Sequence, residues 1–300
     1  MKKNLILLSD MTREEILKLY DKTRDLKEKR QKGIPHETLK GKTLGLIFNK
    51  ESTRTRISFE VGMYELGGYS LFLSSDQLQL NRGETLADSA RALSRYLSGI
   101  VVRTFDHADL EQMANHAEIP IINGLTDLNH PVQILTDIYT INEKLGRIED
   151  VKVAYVGDGN NIAYSWILGA SIMGIHLAVA SPPQFKPLTP KNMGTIGKIE
   201  ILEDPYQAVK DADIIYTDVW ISMGENKQTQ YKISKLQNYK INRELLNAAK
   251  KDTLVMHCLP AHRGEEITSD VLDGPQSIVF DQAENRLHVQ KAILETLLLF

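Results

Sequence analysis

Five short segments of this chain gather the residue types that can do chemistry. The first is Ser52-Thr53-Arg54-Thr55-Arg56, between an apolar run ending at Phe48 and an amphipathic stretch from Ser58. Hydroxyls, an arginine and open backbone amides at a helix amino end form a cradle for phosphate or carboxylate. The same residue types also serve as plain helix caps beside solvated arginines. Side chains two apart on a helix diverge, so one arginine is expected at the anion. Arg54 is that residue, with Arg56 in a structural ion pair. The second segment is His130-Pro131-Val132-Gln133. Proline suits the first helical position because its missing amide would have no partner there. His130 then faces whatever the helix amino end faces, and Gln133 follows about one turn on; capping alone would also explain the histidine. Arg103 closes a third apolar run, Gly99-Ile100-Val101-Val102, and adds a cation at its carboxyl end.

The third segment, Val156-Gly157-Asp158-Gly159-Asn160-Asn161, resembles a dinucleotide-binding turn but does not fill the third glycine of GxGxxG. Two asparagines there suit a zwitterionic amino acid better than a pyrophosphate. The fourth and fifth segments, Asp218 to Glu225 and His257 to Arg263, each follow an apolar run. An aspartate and a cysteine at one sheet edge could contact an amine and tune its protonation. Cys258 could equally be a buried, inert thiol. Its neighbour His257 is adjacent in sequence, which does not fit a Cys-His protease, and no HExxH or paired CxxC spacing offers a metal site.

The elements that must position these groups alternate along the chain. A capping box at Thr12 and Glu15 opens a helix over 12–32, which Gly33 and Pro35 close. Strands are expected at 43–48, 69–73, 99–103 and 120–123, with helices at 58–66, 85–97 and 107–116. A helix over 131–145 ends at Gly146, and a second block follows. Its expected strands lie at 152–156, 177–181, 199–202, 214–217 and 254–257, and its helices start at 162 and 205. The apolar spacing of 285–300 reads as a packed terminal helix. Strands alternating with helices imply parallel sheets. The expected fold is α/β, with two domains, each a parallel sheet with helices on both faces, joined by interdomain helices. Boundaries are expected at 1–135 and 136–284, with 285–300 returning to the first domain. Ligands in such sheets sit beyond the carboxyl ends of the strands, where the five segments cluster.

Composition narrows the function classes. Three hundred residues suit two domains, and 42% hydrophobic with 25% charged residues is the profile of a globular chain. A net charge of -3 offers no basic field for nucleic acid, so an anionic substrate must be held by local groups. Lysines followed by Leu5-Ile6-Leu7-Leu8 imitate a signal peptide, but Ser9 to Arg13 cut the apolar run short. No run approaches the ~20 apolar residues of a membrane span, and Cys258 is the only cysteine, so no disulfide can form within the chain. A cytoplasmic location is expected, with no membrane or nucleic-acid partner.

Ser52-Thr-Arg-Thr-Arg56, His130-Pro-x-Gln133, Asp218-x-x-x-Ser222-Met-Gly224 and His257-Cys-Leu-Pro260 occur in the order and at the intervals of the ornithine carbamoyltransferases. The resemblance extends over essentially the whole chain, including 123–127 and 284–288. The first two motifs resemble the wider carbamoyltransferase superfamily, and the last two resemble its ornithine branch. The resemblance implies a first domain for carbamoyl phosphate and a second for L-ornithine, with citrulline and phosphate as products and a place in arginine metabolism. It implies that Ser52, Thr53, Arg54 and Thr55 hold the phosphate, with Arg103, His130 and Thr55 on the carbonyl oxygen. Gln133 would meet the carbamoyl nitrogen, and Cys258, Leu259 and Arg286 would complete that site. Gln79 would reach a neighbouring subunit's phosphate in a trimer with shared active sites, although Asn81 replaces the glycine usual beside it. Asn161, Asp218, Ser222 and Met223 would bind ornithine, with Asp218 and Cys258 beside the attacking amine. Arg103, His130, Asp218 and Cys258 are thus the expected catalytic residues. No metal or organic cofactor is implied, because the activated phosphate supplies the leaving group. Alternatives are a carbamoyltransferase for putrescine, aspartate or acetylornithine, a nicotinamide-dependent dehydrogenase, and a non-catalytic amino-acid-binding protein.

Overall fold

A computed structural model describes residues 3–74, 83–190, 196–221 and 229–299. The chain divides into two compact units, residues 1–139 with 284–300, and residues 140–283.

Unit 1 is built on β1 (Thr43–Phe48), β2 (Tyr69–Ser74), β3 (Gly99–Arg103) and β4 (Ile121–Leu125). They form a parallel sheet in the order β2-β1-β3-β4. β1 and β3 are buried nearly throughout, as central parallel strands covered on both faces must be. β2 lies at the edge and is largely exposed. Around the sheet pack α1 (Arg13–Gln31), α2 (Thr53–Glu65), α3 (Leu86–Leu93) and α4 (His107–His116). On one side Ile47, Ile100, Val102, Leu110, Met113 and Ile121 share a core. α5 (Pro131–Leu145) begins in this unit, as does the chain's first segment, where Leu5 bridges to Ile122 alongside β4.

Unit 2 holds β5 (Lys152–Val156), β6 (His176–Ala180), β7 (Ile199–Leu202), β8 (Ile214–Thr217) and β9 (Leu254–His257). All pair in parallel, in the order β7-β6-β5-β8-β9. Its helices are α6 (Asn161–Met173), α7 (Pro205–Val209), α8 (Thr229–Leu236), α9 (Arg243–Asn247) and α10 (Ser269–Leu272). Ala154, Val156, Ile215, Trp220, Val255 and Ile267 lie in its core. The last helix, α11 (Val279–Leu298), has its opening turn in unit 2 and the rest in unit 1.

Most expected elements stand where the apolar periodicity puts them, and the Thr12–Glu15 capping box forms with both reciprocal bonds. Three corrections matter. α2 begins at Thr53, not Ser58, so Thr53-Arg54-Thr55 form a helical first turn behind Ser52 as its cap, rather than a loop before a helix. Hydroxylic and β-branched residues are weak helix formers, but burial of Thr55, Ser58, Phe59 and Met63 carries the helix through them. α11 begins at Val279, six residues before the expected start. The short helices α8, α9 and α10 replace a stretch with no clear periodic signal.

Both sheets contain a point where the chain reverses its direction of building. In unit 1 it lies between β1 and β3; in unit 2, between β5 and β8. Connections leave such neighbouring strands to opposite sides and open a crevice at their carboxyl ends. Residues 49–56 and 103–106 border the first crevice, and residues 157–161 and 218–221 border the second.

Candidate active site

The unit 1 cluster starts with three loops tied together beyond the strand ends. The Asn49 amide donates to the Arg103 carbonyl at 2.8 Å, and the Asp127 amide donates to the Phe105 carbonyl at 2.9 Å. The buried Lys50 ammonium lies 4.1 Å from the centre of the Phe105 ring and pairs with the Asp127 carboxylate. Ser52 caps α2 in an extended conformation without spending its hydroxyl on a cap bond. Thr53, Arg54 and Thr55 form the first turn, where helical amides have no intrahelical acceptor and favour an anion. Arg56 turns away, as expected, into an ion pair with Glu60 at 2.9 Å and lies over the Phe72 ring.

His130 directly precedes α5, in a loop pinned from within. Thr126 and Asn129 exchange hydrogen bonds, and Asn123 donates to both Ile6 and Asn129. Burial, reinforced by the guanidiniums of Arg286, Arg103 and Arg54, drives the His130 pKa well below the usual histidine range. The ring is therefore neutral at physiological pH and offers one N–H donor among three permanent cations.

Arg286 joins two further sequence-predicted residues. One nitrogen donates to the Gln133 side-chain oxygen and the other to Thr55 Oγ1 at 2.9 Å. Gln133 donates in turn to Asp137 Oδ1 at 2.8 Å, which fixes its amide orientation. Its oxygen keeps a second lone pair, and Thr55, acting as acceptor, keeps its hydroxyl proton for donation. Arg54, Thr55, Arg103, His130, Gln133 and Arg286 thus belong to one cluster whose donors exceed its acceptors. It suits an anionic or strongly polarised oxygen.

The unit 2 cluster is organised around Asp218, which follows β8 and is buried. The Cys258 thiol donates to its Oδ1 at 2.9 Å, and Asn160 Nδ2 donates to its Oδ2 at 2.8 Å. Asn160 also caps α6, its oxygen accepting from the Ile162 and Ala163 amides. One side chain thereby links both loops of the unit 2 crevice. Asn161 is the first residue of α6. Gly157 and Gly159 shape the loop before it: a Cβ on Gly159 would lie 2.3 Å from the Phe185 carbonyl oxygen. Asp158 pairs with Lys232 at 2.8 Å, and the buried Tyr155 hydroxyl donates to the Asp158 carbonyl.

Behind Cys258 lies a buried polar relay that the sequence motifs do not announce. The His257 Nδ1 accepts the Leu259 amide at 2.8 Å, so Nε2 carries the proton toward Glu266 Oε1 at 3.0 Å. Glu266 also accepts the His262 amide, and the His257 amide donates to Gln282. These bonds hold Leu259 at a φ of 58°. Donor atoms of Asp218, His257 and Cys258 lie within 4.8 Å of one another. Both ring nitrogens of His257 are already committed, so the set is shaped as a hydrogen-bonded cluster. Asn160 and Glu266 emerge from the structure as site-supporting residues. A capping asparagine could be anticipated from the start of α6; the pairing of Glu266 with His257 had no local signal.

Gln79, Ser222 and Met223 lie outside the described residues.

Two parallel α/β units, one presenting an anion-favouring cluster and the other a carboxylate–thiol pair, describe a protein class that handles a charged donor and an amino acceptor. Residues 3–143 match the carbamoyl-P binding domain of the aspartate/ornithine carbamoyltransferases, and residues 149–297 match their Asp/Orn binding domain. The chain belongs to the aspartate/ornithine carbamoyltransferase family. It is 54% identical to the ornithine carbamoyltransferase of Syntrophus aciditrophicus, over 99% of this chain and 100% of that one. It is 51% identical to that of Thermococcus kodakarensis, over 97% and 95%. Among solved structures, the ornithine carbamoyltransferase of Pyrococcus furiosus superposes with a TM-score of 0.92 at 49% identity, covering 97% of this chain and 95% of that one.

Proposed function

We propose that this protein transfers the carbamoyl group of carbamoyl phosphate to the δ-amine of L-ornithine, releasing L-citrulline and phosphate. The observation that carries this reading is the full-length identity of about half to relatives named for that reaction, spanning both family domains. The polar clusters of each unit support it.

Carbamoyl phosphate is assigned to unit 1. The α2 amino end, with Ser52, Thr53, Arg54 and Thr55, takes the phosphate. Arg103, neutral His130 and the Thr55 hydroxyl donate to the carbonyl oxygen, whose charge grows as the tetrahedral intermediate forms. Each such donor typically contributes about 3 kcal/mol to the transition state. The Gln133 oxygen accepts from the carbamoyl nitrogen, and Arg286 holds Gln133 and Thr55 in place.

Ornithine is assigned to unit 2, with Asn161, Asp218, Ser222 and Met223 binding it and Cys258 and Leu259 beside the reacting centre. Free ornithine carries a protonated δ-amine at neutral pH. Asp218 is the acceptor for the proton that must leave before attack, and Cys258 orients its carboxylate. The neutral amine then forms the C–N bond, the carbon–oxygen bond to phosphate breaks, and phosphate departs with that electron pair. Of the two protons then on that nitrogen, one passes to the departing phosphate and the other stays on citrulline. Much of the rate comes from alignment of two bound reactants.

Several wider assignments complete the reading. A homotrimer with shared active sites, in which Gln79 reaches a neighbouring subunit, is supported by exposed apolar side chains on α2 (Ile57, Tyr64) and on edge strand β2 (Tyr69, Leu71, Phe72). The Pyrococcus furiosus relative is named anabolic, which supports synthesis of citrulline as the working direction. Among the described residues no helix is long and apolar enough to cross a membrane, in keeping with the proposed cytoplasmic location.

The deciding experiment offers ornithine, putrescine, aspartate and acetylornithine in parallel with carbamoyl phosphate and measures the carbamoylated products. Turnover with ornithine alone is expected. Turnover with another amine would overturn the acceptor assignment, and none with any amine would favour a non-catalytic binding protein.

A further inference from the structure

Lys291 is an unusual residue for its place. It lies on α11, is fully buried, and carries an ammonium group. Its Nζ donates to Glu65 Oε2 at 2.6 Å and contacts His36 Nε2 at 3.0 Å. The other His36 nitrogen lies 2.9 Å from the Ile34 carbonyl, which can only accept, so Nδ1 bears the proton and Nε2 accepts from Lys291. Glu65, at the last position of α2, receives Arg30 of α1 on its other oxygen at 2.7 Å. One carboxylate thereby fastens α1 and α11 to the end of α2.

Burying an ammonium ion is costly, and a well-packed apolar side chain often serves stability as well or better. The best-attested use of a buried ion pair is to select one register among several. Helix packing here is sensitive to register. Gly62 of α2 is the notch in which α11 rests: a Cβ there would lie 3.1 Å from Lys291 Cγ and 3.6 Å from Leu287 Cδ1. Nearer the amino end of α2, the same pair of helices carries the bond from Arg286 to Thr55. α11 is thus held to α2 at two levels, by an ion pair at one and by a site contact at the other.

We propose that Lys291 and Glu65 are positioning residues for the carbamoyl phosphate site: their ion pair sets the register of α11 on α2 and so delivers Arg286 to Thr55 and Gln133. This rests on the assignment of Arg286 to that site made above. The Gly62 notch sets how closely the helices approach, and the buried ammonium, whose acceptors Glu65 and His36 hold fixed places, sets the position along them. A slip of even part of a turn at Lys291 would carry Arg286 off the Thr55 hydroxyl, which would then be free to point away from the carbonyl oxygen.

The test is steady-state kinetics of the full-length protein with carbamoyl phosphate varied and ornithine saturating, then the reverse. Lys291→Met and Glu65→Gln are each made alone and combined with Arg286→Ala. Lys291→Met is expected to lower kcat/KM for carbamoyl phosphate about tenfold, or ~1.4 kcal/mol, while KM for ornithine stays within about twofold. In the Arg286→Ala background the same substitution is expected to change kcat/KM by less than about twofold, because the residue through which it acts is gone. An equal loss in both backgrounds, or no loss in either, would overturn the proposal. No loss on Arg286→Ala alone would overturn the site assignment and the proposal with it. If Lys291→Met does not fold, Glu65→Gln, which keeps shape and removes the charge, decides by the same comparison.

Discussion

The Cys258 thiol donates to Asp218 Oδ1 over 2.9 Å, while the carboxylate's other oxygen accepts from Asn160 at 2.8 Å. The carboxylate is held from both sides, with lone pairs left for an amine. In the proposed reaction its charge is the essential feature and the thiol an orienting one. Asp218→Asn is therefore expected to lower kcat/KM for ornithine by about a hundredfold or more. Cys258→Ser, which keeps a donor, is expected to lose about tenfold or less, and Cys258→Ala more than Cys258→Ser. Equal losses for serine and alanine would show that the hydrogen bond is not what Cys258 contributes.

Arg54 supplies the first turn of α2 with its full charge, and that charge acts on His130 as well. Arg54→Ala is expected to raise KM for carbamoyl phosphate by roughly ten- to a hundredfold, the worth of one to two charge-assisted hydrogen bonds. Calorimetric titration with carbamoyl phosphate checks this without relying on turnover. Near-normal affinity would sink the phosphate assignment.

Acid should weaken the fold through its buried histidines. Burial and the neighbouring Lys291 ammonium push His288 from 6.5 down to about 4, against the opposing pull of Glu284; His130 is lowered in the same direction. Between those values the unfolded chain binds a proton that the native chain refuses. The stabilisation from each depressed histidine is therefore complete above pH 6.5 and is lost as pH falls, for His288 until about pH 4. For His288 the slope within that window approaches about 1.4 kcal/mol per pH unit. Urea midpoints measured at pH 7 and pH 5 should show the drop, and His288→Gln should make it shallower. An unchanged slope in that variant would assign the acid sensitivity elsewhere.

Gly159 permits the close approach of the 157–161 loop to residues 185–187. A Cβ there would meet the Phe185 carbonyl oxygen and the Pro187 nitrogen, each at 2.3 Å, and both are backbone atoms that cannot swing aside. Gly159→Ala is expected to destabilise the protein by about 1–3 kcal/mol and to raise KM for ornithine, with KM for carbamoyl phosphate nearly unchanged. Thermal denaturation and the two KM values check both halves. A wild-type KM for ornithine would detach this loop from the acceptor site.

Much of this protein is readable along the chain. β1, β3, α4, α5, β5, β7, β8 and β9 stand at the residues expected, because short apolar runs bounded by turn residues and strongly patterned helices are specified locally. That Arg56 takes a structural ion pair was expected too, but its partner Glu60, one turn on, follows only from the earlier start of α2. α2 was not readable in full. Its first turn is made of residues that prefer caps and turns, and only burial of its inner side chains makes it helical. The same holds for α8, α9 and α10, which are too short for a period to register.

The sequence by itself determined the residue types of both clusters and their place at strand ends, since strand, turn and helix follow from neighbours. Which of those residues touch was decided by tertiary structure alone. Arg286 reaches Thr55 across 231 positions and Gln133 across 153. Asp218 meets Asn160 and Cys258 because strands β5, β8 and β9 lie side by side. His130 is neutral because the fold buries it among three arginines that the chain keeps far apart. Proton affinity and hydrogen-bond geometry depend on distance and on exclusion of water, and neither exists before the chain has closed on itself.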